Sequence, residues 1–206
     1  MWSLLPANWR LTLIVATTLF AAWAWDGLHV AFTGQHASPL DLISPVVFGL
    51  GTVATLAFTA TWRMLWNAVP ALGRRVFPDL NGRWEGKLLS NWIDPQTGKD
   101  IAPIEATVWI RQGLFKTTVR LKTGESTSRS TRAILEPFRD IGCFKVWYTY
   151  NSDPDAQVRH RSSPHEGMAS LEYDITAPGK AKIRYFTDRG TTGDIELTRT
   201  SRDPDA

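Results

Sequence analysis

Charge is distributed along this chain in two unequal parts. Residues 1–75 carry only six charged side chains, Arg10, Asp26, Asp41, Arg63, Arg74 and Arg75. The other 37 of the 23 Lys+Arg and 20 Asp+Glu lie in residues 76–206. Six of the ten tryptophans also fall in the first 75 positions. A single globular domain interleaves charge with apolar residues, because each of its elements needs a wet face. Segregation of this kind is expected of a membrane anchor followed by a soluble domain. One cysteine, Cys143, excludes an intrachain disulfide framework and any multi-cysteine zinc site. The net charge of +3 divides into about +2 for residues 1–75 and about +1 for the remainder, which is too little for a generic duplex nucleic-acid binder.

Two apolar stretches account for the first part. One runs from Trp9 to Phe32 and is broken only by Asp26; the other, Leu42–Trp62, is uncharged over 21 residues. At the helical rise the second spans roughly 31 Å, close to the ~30 Å of a bilayer core. The sequence therefore predicts two membrane helices joined by a hairpin at Thr33–Asp41, with no signal-peptide cleavage site. Arg10 precedes the first helix, Arg63, Arg74 and Arg75 follow the second, and the loop TGQHASPLD has no Lys or Arg. The positive-inside rule then places both termini in the cytoplasm of a multi-pass inner-membrane protein. Trp2, Trp9, Trp62 and Trp66 near one interface and Trp23 and Trp25 near the other form an aromatic belt. Asp26 has two readings, a helix end at the outer headgroups or a polar contact between helices of an oligomer. Small residues in the second stretch, among them Gly49, Gly51 and Ala57, would permit close helix approach.

After Pro70, Gly73 and Pro78 the chain reads as β throughout. Strands are expected at 82–92, 103–112, 114–123, 126–135, 143–151, 166–174, 181–187 and 193–199, each rich in Val, Ile, Thr or aromatic residues. Alternation is cleanest where Ile104, Ala106, Val108 and Ile110 share one face, and where Phe115, Thr117, Val119 and Leu121 share another. Turn sequences separate the strands: DPQTGKD, QG, KTGE, RDIG, NSDPDAQ, APGK and DRGTTGD. Eight short strands with hairpin-like turns predict a lipocalin-like up-and-down β-barrel, with a β-sandwich as the alternative. The division is a membrane part at 1–75 and a cytoplasmic receptor domain at 76–206. Eight strands enclose just enough space for one small ligand.

No catalytic motif appears: no phosphate loop, HExxH, GxSxG or dinucleotide-binding glycine pattern. His29 and His36 belong to the hairpin, and His160 and His165 lie in the loop VRHRSSPHEG without a third ligand, so no metal site is expected. Cys143 reads as a buried, inert thiol, and Glu172 with Asp174 is weak support for acid–base chemistry. The expectation is a binding protein with no cofactor, not an enzyme. Aromatic residues alternate with cationic or polar ones, as in Trp109 with Arg111, Trp147 with Thr149, Tyr148 with Tyr150, and Arg184 with Phe186. Tyr185, Thr187, Arg189, Thr191 and Thr192 surround one hairpin. Arginine forks, hydroxyls and turn amides hold phosphate oxygens, and aromatic faces stack on bases.

FPDLNGRWEGKLLSNW (77–92) opening an all-β domain directly after the two expected membrane helices, with YFTDRGTTGDIEL (185–197) near its end, resembles the two-transmembrane-helix β-barrel effectors of bacterial CBASS anti-phage systems. The resemblance covers essentially the whole chain. Its opening motif falls on Gly82, Trp84, Glu85 and Gly86, and its closing motif on Tyr185, Thr187, Arg189, Thr191 and Gly193. A Gly-x-Trp first strand also opens secreted lipocalins, which lack the anchor. The resemblance implies a cyclic dinucleotide as ligand, made by a partner nucleotidyltransferase, and self-association in the inner membrane that breaks its integrity and aborts infection. Alternation then suggests individual roles. Trp84 would plug or stack within the barrel, Arg111, Arg189 and Arg132 would pair with phosphates, Tyr148, Tyr150 and Tyr173 would meet bases, and Thr191 and Thr192 would add hydroxyls. Two rivals are a membrane-tethered carrier of a lipid or small apolar ligand, with an aliphatic interior, and a structural protein whose interior is filled.

Overall fold

The computed structural model describes residues 2–42, 45–93 and 98–205. It divides into two compact units, Trp2–Val69 and Pro70–Ala206. The first is helical: α1 (Ala7–Thr33), the single turn α2 (Pro39–Leu42) and α3 (Pro45–Ala68), with α1 and α3 side by side. Gly34, in a left-handed conformation, ends α1 by donating its N–H to the Val30 carbonyl. Trp9, Ile14, Leu19, Phe20, Trp23 and Phe32 of α1 are exposed, an apolar surface that water does not favour. Asp26 turns toward the loop after α1, where its carboxylate accepts from the Ala37 N–H at 2.8 Å and meets His36 Nδ1 at 2.9 Å.

The expectation of two membrane helices is corrected. Among the described residues one helix, Ala7–Thr33, is long and apolar enough to cross a membrane, so the multi-pass topology and its localisation do not stand. Leu42–Trp62 does form most of a helix, although Ile43 and Ser44 lie outside the described residues. Within α3 the hydroxyls of Thr52, Thr55 and Thr61 donate to carbonyls one turn back, which satisfies them inside the helix.

In the second unit, α4 (Pro70–Arg75) leads into eight strands: β1 (Gly82–Ser90), β2 (Ile104–Gln112), β3 (Thr117–Lys122), β4 (Ser126–Phe138), β5 (Cys143–Pro154), β6 (His165–Asp174), β7 (Lys180–Thr187) and β8 (Thr192–Ser201). Every pairing is antiparallel, in the order β1 to β8, and β8 returns to β1 to close the barrel. Closure removes the free edges on which an open sheet would aggregate. The expected fold, two transmembrane helices plus an eight-stranded lipocalin-like up-and-down β-barrel, is thus corrected: among the described residues there is one candidate span, and the closed barrel carries register shifts at Arg83/Trp84 and at Ser130/Arg132. Of the expected turns, Asp94–Thr97 of DPQTGKD lies outside the described residues.

The barrel has two unlike ends. At the end where the chain enters, period-two alternation stacks Trp84, Val108, Ile110, Phe144, Val146 and Leu171 into a dry core, all 0% exposed. Residues 77–81 cross this end and bury Phe77 and Leu80. Burying that backbone requires partners, and Gln112 supplies them: its Oε1 accepts from Leu80 N–H at 2.8 Å, and its Nε2 donates to the Pro78 carbonyl at 3.1 Å. Trp84 donates its indole N–H to the Leu80 carbonyl at 3.1 Å, and the Arg199 guanidinium lies 4.3 Å over its ring. Gly82 has φ +141, and any side chain there would overlap the Ser201 carbonyl, so the first glycine of the Gly-x-Trp motif is required by backbone approach.

Candidate functional site

The opposite end of the barrel is hollow. A cavity of about 220 Å³ lies among the C-terminal ends of β1, β3, β5 and β7 and the N-terminal ends of β2, β4, β6 and β8. Loop residues line its mouth: Trp92 and Ile101 between β1 and β2, Thr123 and Glu125 between β3 and β4, Val158, Arg161 and Ser162 between β5 and β6, and Arg189 and Thr191 between β7 and β8. The interior is therefore neither filled throughout nor empty throughout.

Six of the expected site residues meet at this cavity: Tyr148 and Tyr150 from β5, Tyr185 and Thr187 from β7, and Arg189 and Thr191 from the β7–β8 hairpin. The tyrosine rings of β5 stand 6.2 Å apart, centroid to centroid. Burial pushes the phenols of Tyr148 and Tyr150 well above their ordinary value, so both remain protonated donors at neutral pH. Two glycines make room for rings here. Gly167 pairs with Tyr150 across β5–β6, and Gly193 pairs with Tyr185 across β7–β8. A Cβ on either would collide with the neighbouring phenol, so each tyrosine lies along the wall over a glycine and leaves the lumen open.

Five expected site residues lie elsewhere. Trp84 and Tyr173 point inward but at the filled end, with ring centroids 6.3 Å apart. Arg111 faces outward and pairs with Asp205, because the alternation that buries Ile110 must expose its neighbour. Arg132 is exposed because the register shift after Ser130 changes which side chains of β4 face inward. Thr192 is held by its backbone, whose N–H donates to Asn91 Oδ1 at 2.7 Å.

Sequence reasoning missed Ser126, Ser128, Ser152, Arg161 and His165, all on the cavity lining. Ser152 shares the inward face of β5 with Tyr148 and Tyr150, so alternation alone could have found it. Arg161 sits in a connection, where no periodicity reports direction.

The cations gather at the mouth. Arg161 is engaged by Glu125 at 2.5 Å, and Arg159, on the outer lip, by Asp153 at 2.7 Å. Arg189 reaches only neutral oxygens, Ser162 Oγ and the Ser163 carbonyl, both at 3.4 Å, and has no carboxylate partner among the described residues. It is the guanidinium best placed to accept an incoming anion.

His165 Nδ1 meets the Ser163 carbonyl at 3.2 Å. Burial, aided by Arg189, holds its pKa below the usual 6.5, against the opposing effects of Ser163 and Asp188. The unfolded chain therefore takes up this proton at higher pH than the folded one, and stability is full above pH 6.5 and declines as pH falls below it. Thermal unfolding followed from pH 7.5 to 5.0 is expected to show a shallower decline in His165→Gln than in the wild type. Parallel curves would remove His165 as the source.

Among the described residues no cluster of three metal-ligating side chains occurs. Cys143 is buried, and desolvation raises its thiol, which keeps it protonated and unreactive.

Comparison with known proteins points in one direction. Residues 75–199 match the family model described as Cap15, cyclic dinucleotide receptor domain. The chain is 26% identical over 209 residues to CD-NTase-associated protein 15 of Escherichia albertii, covering 97% of this chain and 98% of that protein. The match supports the receptor domain. The expected two-transmembrane-helix effector is corrected in its membrane part, where one candidate span is found.

Proposed function

Because this chain belongs to the family of Cap15 cyclic dinucleotide receptor domains, we propose that it binds a cyclic dinucleotide in the hollow end of its barrel and signals through its N-terminal helical unit. Membership makes it a receptor and not an enzyme, with a cyclic dinucleotide as ligand. The observation that carries the site is the coincidence, at one cavity, of Tyr148, Tyr150 and Tyr185 with Arg161 and Arg189 at its mouth. Aromatic walls suit bases, and cations at the edge suit phosphates that keep part of their hydration.

The ligand comes from a nucleotidyltransferase of the kind that the relative's name associates with it. Ligand binding favours self-association of the barrels, since a ligand shifts only an equilibrium whose states it binds unequally. Association gathers the N-terminal segments, residues 1–75, which then disrupt a lipid bilayer and abort infection. The exposed apolar side chains of α1 support a lipid-contacting role.

The aliphatic part of the lining, Leu88, Ile104, Leu121, Ile183 and Ile195, favours a second reading, a carrier of an amphiphilic lipid with its headgroup at Arg189. One calorimetric experiment separates the two. Full-length protein in detergent, titrated with cyclic dinucleotides that differ in base and linkage, is expected to show saturable one-to-one binding to at least one of them. Heat with a fatty acid and none with any cyclic dinucleotide would favour the carrier. Leakage of dye from liposomes holding the protein is expected only with the ligand that binds.

A further inference from the structure

The hydroxyls around the cavity differ in how far the protein has already satisfied them. On the β7–β8–β1 side they are paired internally. Thr187 Oγ1 and Thr191 Oγ1 lie 2.6 Å apart, the Thr191 N–H donates to Thr187 Oγ1 at 3.1 Å, and the Tyr185 phenol shares a hydrogen bond with Ser90.

The β4–β5 wall is different. Ser128 and Ser152 face each other across the ladder and are 9% and 5% exposed. Ser152 Oγ has one long contact, 3.3 Å to Ser126 Oγ. The Ser128 hydroxyl and the phenols of Tyr148 and Tyr150 have no hydrogen-bond partner among the described residues, although all three line the cavity. None of these hydroxyls is sealed away from the lumen, so each opens to the cavity, where water or the polar edge of a ligand can complete its hydrogen bonding.

Position along the barrel says which part of a ligand would complete it. Arg161 and Glu125 stand at the mouth, Ser126, Ser128 and Ser152 come next, and Tyr150 and then Tyr148 lie deeper. From Ser152 to Tyr148 is four residues of strand, roughly 13 Å. A nucleotide whose phosphate stays with the arginines would carry its base into this wall. Neutral hydroxyls both donate and accept, so with the phosphates held by the arginines at the mouth they can meet the mixed donor and acceptor edge of a nucleobase.

We infer that Ser128 and Ser152, with Ser126, Tyr148 and Tyr150, read the hydrogen-bonding edge of one base and so set which cyclic dinucleotide this receptor prefers. The inference rests on the barrel being a cyclic dinucleotide receptor. Thr187 and Thr191, whose hydroxyls satisfy each other, shape the opposite wall and contribute little to base choice.

The test compares affinities across ligands instead of one affinity. Full-length wild type, Ser128→Ala, Ser152→Ala, the double variant, Ser152→Thr and, on the outward face of β5, Thr149→Val are titrated with cyclic dinucleotides bearing two adenines, two guanines, two uracils or mixed bases. The wild type is expected to rank these ligands. The double variant is expected to compress the span between tightest and weakest by about tenfold, chiefly by weakening the preferred ligand. Ser152→Thr, which keeps a hydroxyl, is expected to retain most of the span, and Thr149→Val to leave it within about twofold. Equal weakening for every ligand, or no change at all, overturns the inference while leaving the receptor reading intact. Failure of the wild type to bind any cyclic dinucleotide overturns both. Thermal unfolding of each variant with and without ligand separates loss of recognition from loss of the fold.

Discussion

Trp84→Ala is expected to lower the stability of the barrel by about 3–5 kcal/mol, the range for truncating a buried large aromatic residue. Three attachments are lost together: the indole N–H to the Leu80 carbonyl, the Arg199 guanidinium over the ring, and the edge contact with Tyr173. The change also leaves the Leu80 carbonyl and the Arg199 charge beneath residues 77–81 with a hole between them. A domain of this size has about 5–15 kcal/mol in all, so most of its margin would go. Chemical denaturation should show the midpoint falling steeply, and the thermal midpoint should drop by about 10 °C or more. Trp84→Phe keeps a ring under Arg199 and should lose about half as much. Because Trp84 occupies the filled end, ligand affinity of the folded fraction is expected to change by less than about twofold. A large affinity loss in a stable Trp84→Ala protein would return this residue to the ligand site, where alternation alone had put it.

Arg189→Ala is expected to raise the dissociation constant for the cyclic dinucleotide by about 10- to 100-fold, the loss of one or two charge-assisted hydrogen bonds to phosphate. Arg161→Ala should cost less. That guanidinium already faces Glu125 at 2.5 Å, and a phosphate must compete with the carboxylate for it. Arg189→Lys is expected to recover only part of the affinity, since an ammonium lacks the planar fork. Titrations at two salt concentrations give an independent readout: the wild type should weaken with salt more than Arg189→Ala does. Identical affinity and identical salt dependence in the two proteins would take the phosphate away from Arg189. Stability should be nearly unchanged, because Arg189 is exposed and its two protein contacts are long.

Much of the barrel was visible in the order of residues. Period-two alternation marked the inward faces of β2 and β3, although Phe115 precedes β3 and is exposed, and turn residues marked most strand ends, so all eight strands fall within a few residues of where the sequence places them. The helical unit was visible as helix but not as a membrane count. Residues 42–62 read as one uncharged run, but Ile43 and Ser44 within it lie outside the described residues, among which one candidate span is found. Within the site, alternation reported which face a side chain takes but nothing about depth. Trp84 and Tyr173 share the inward face with Tyr148 and Tyr150 but belong to the other end of the lumen. Arg132 failed for a local reason, since one unpaired residue at a β-bulge inverts every following side chain and leaves no mark in composition.

The sequence by itself determined that an apolar, charge-poor helical segment precedes an all-β domain, because both properties come from spacing along the chain: helical runs without charge, and alternation at period two. It also carried the family membership, since Gly82, Trp84 and the closing hairpin are read in linear order. Only the tertiary structure decided that the barrel is filled at one end and hollow at the other. It alone joined Arg161 and Glu125 from separate connections at the mouth, and left the Ser128 hydroxyl without a partner while Thr187 and Thr191 satisfied each other. Those are distances between residues far apart in the chain. They depend on register and closure, which a one-residue shift would rearrange while scarcely altering local sequence preferences.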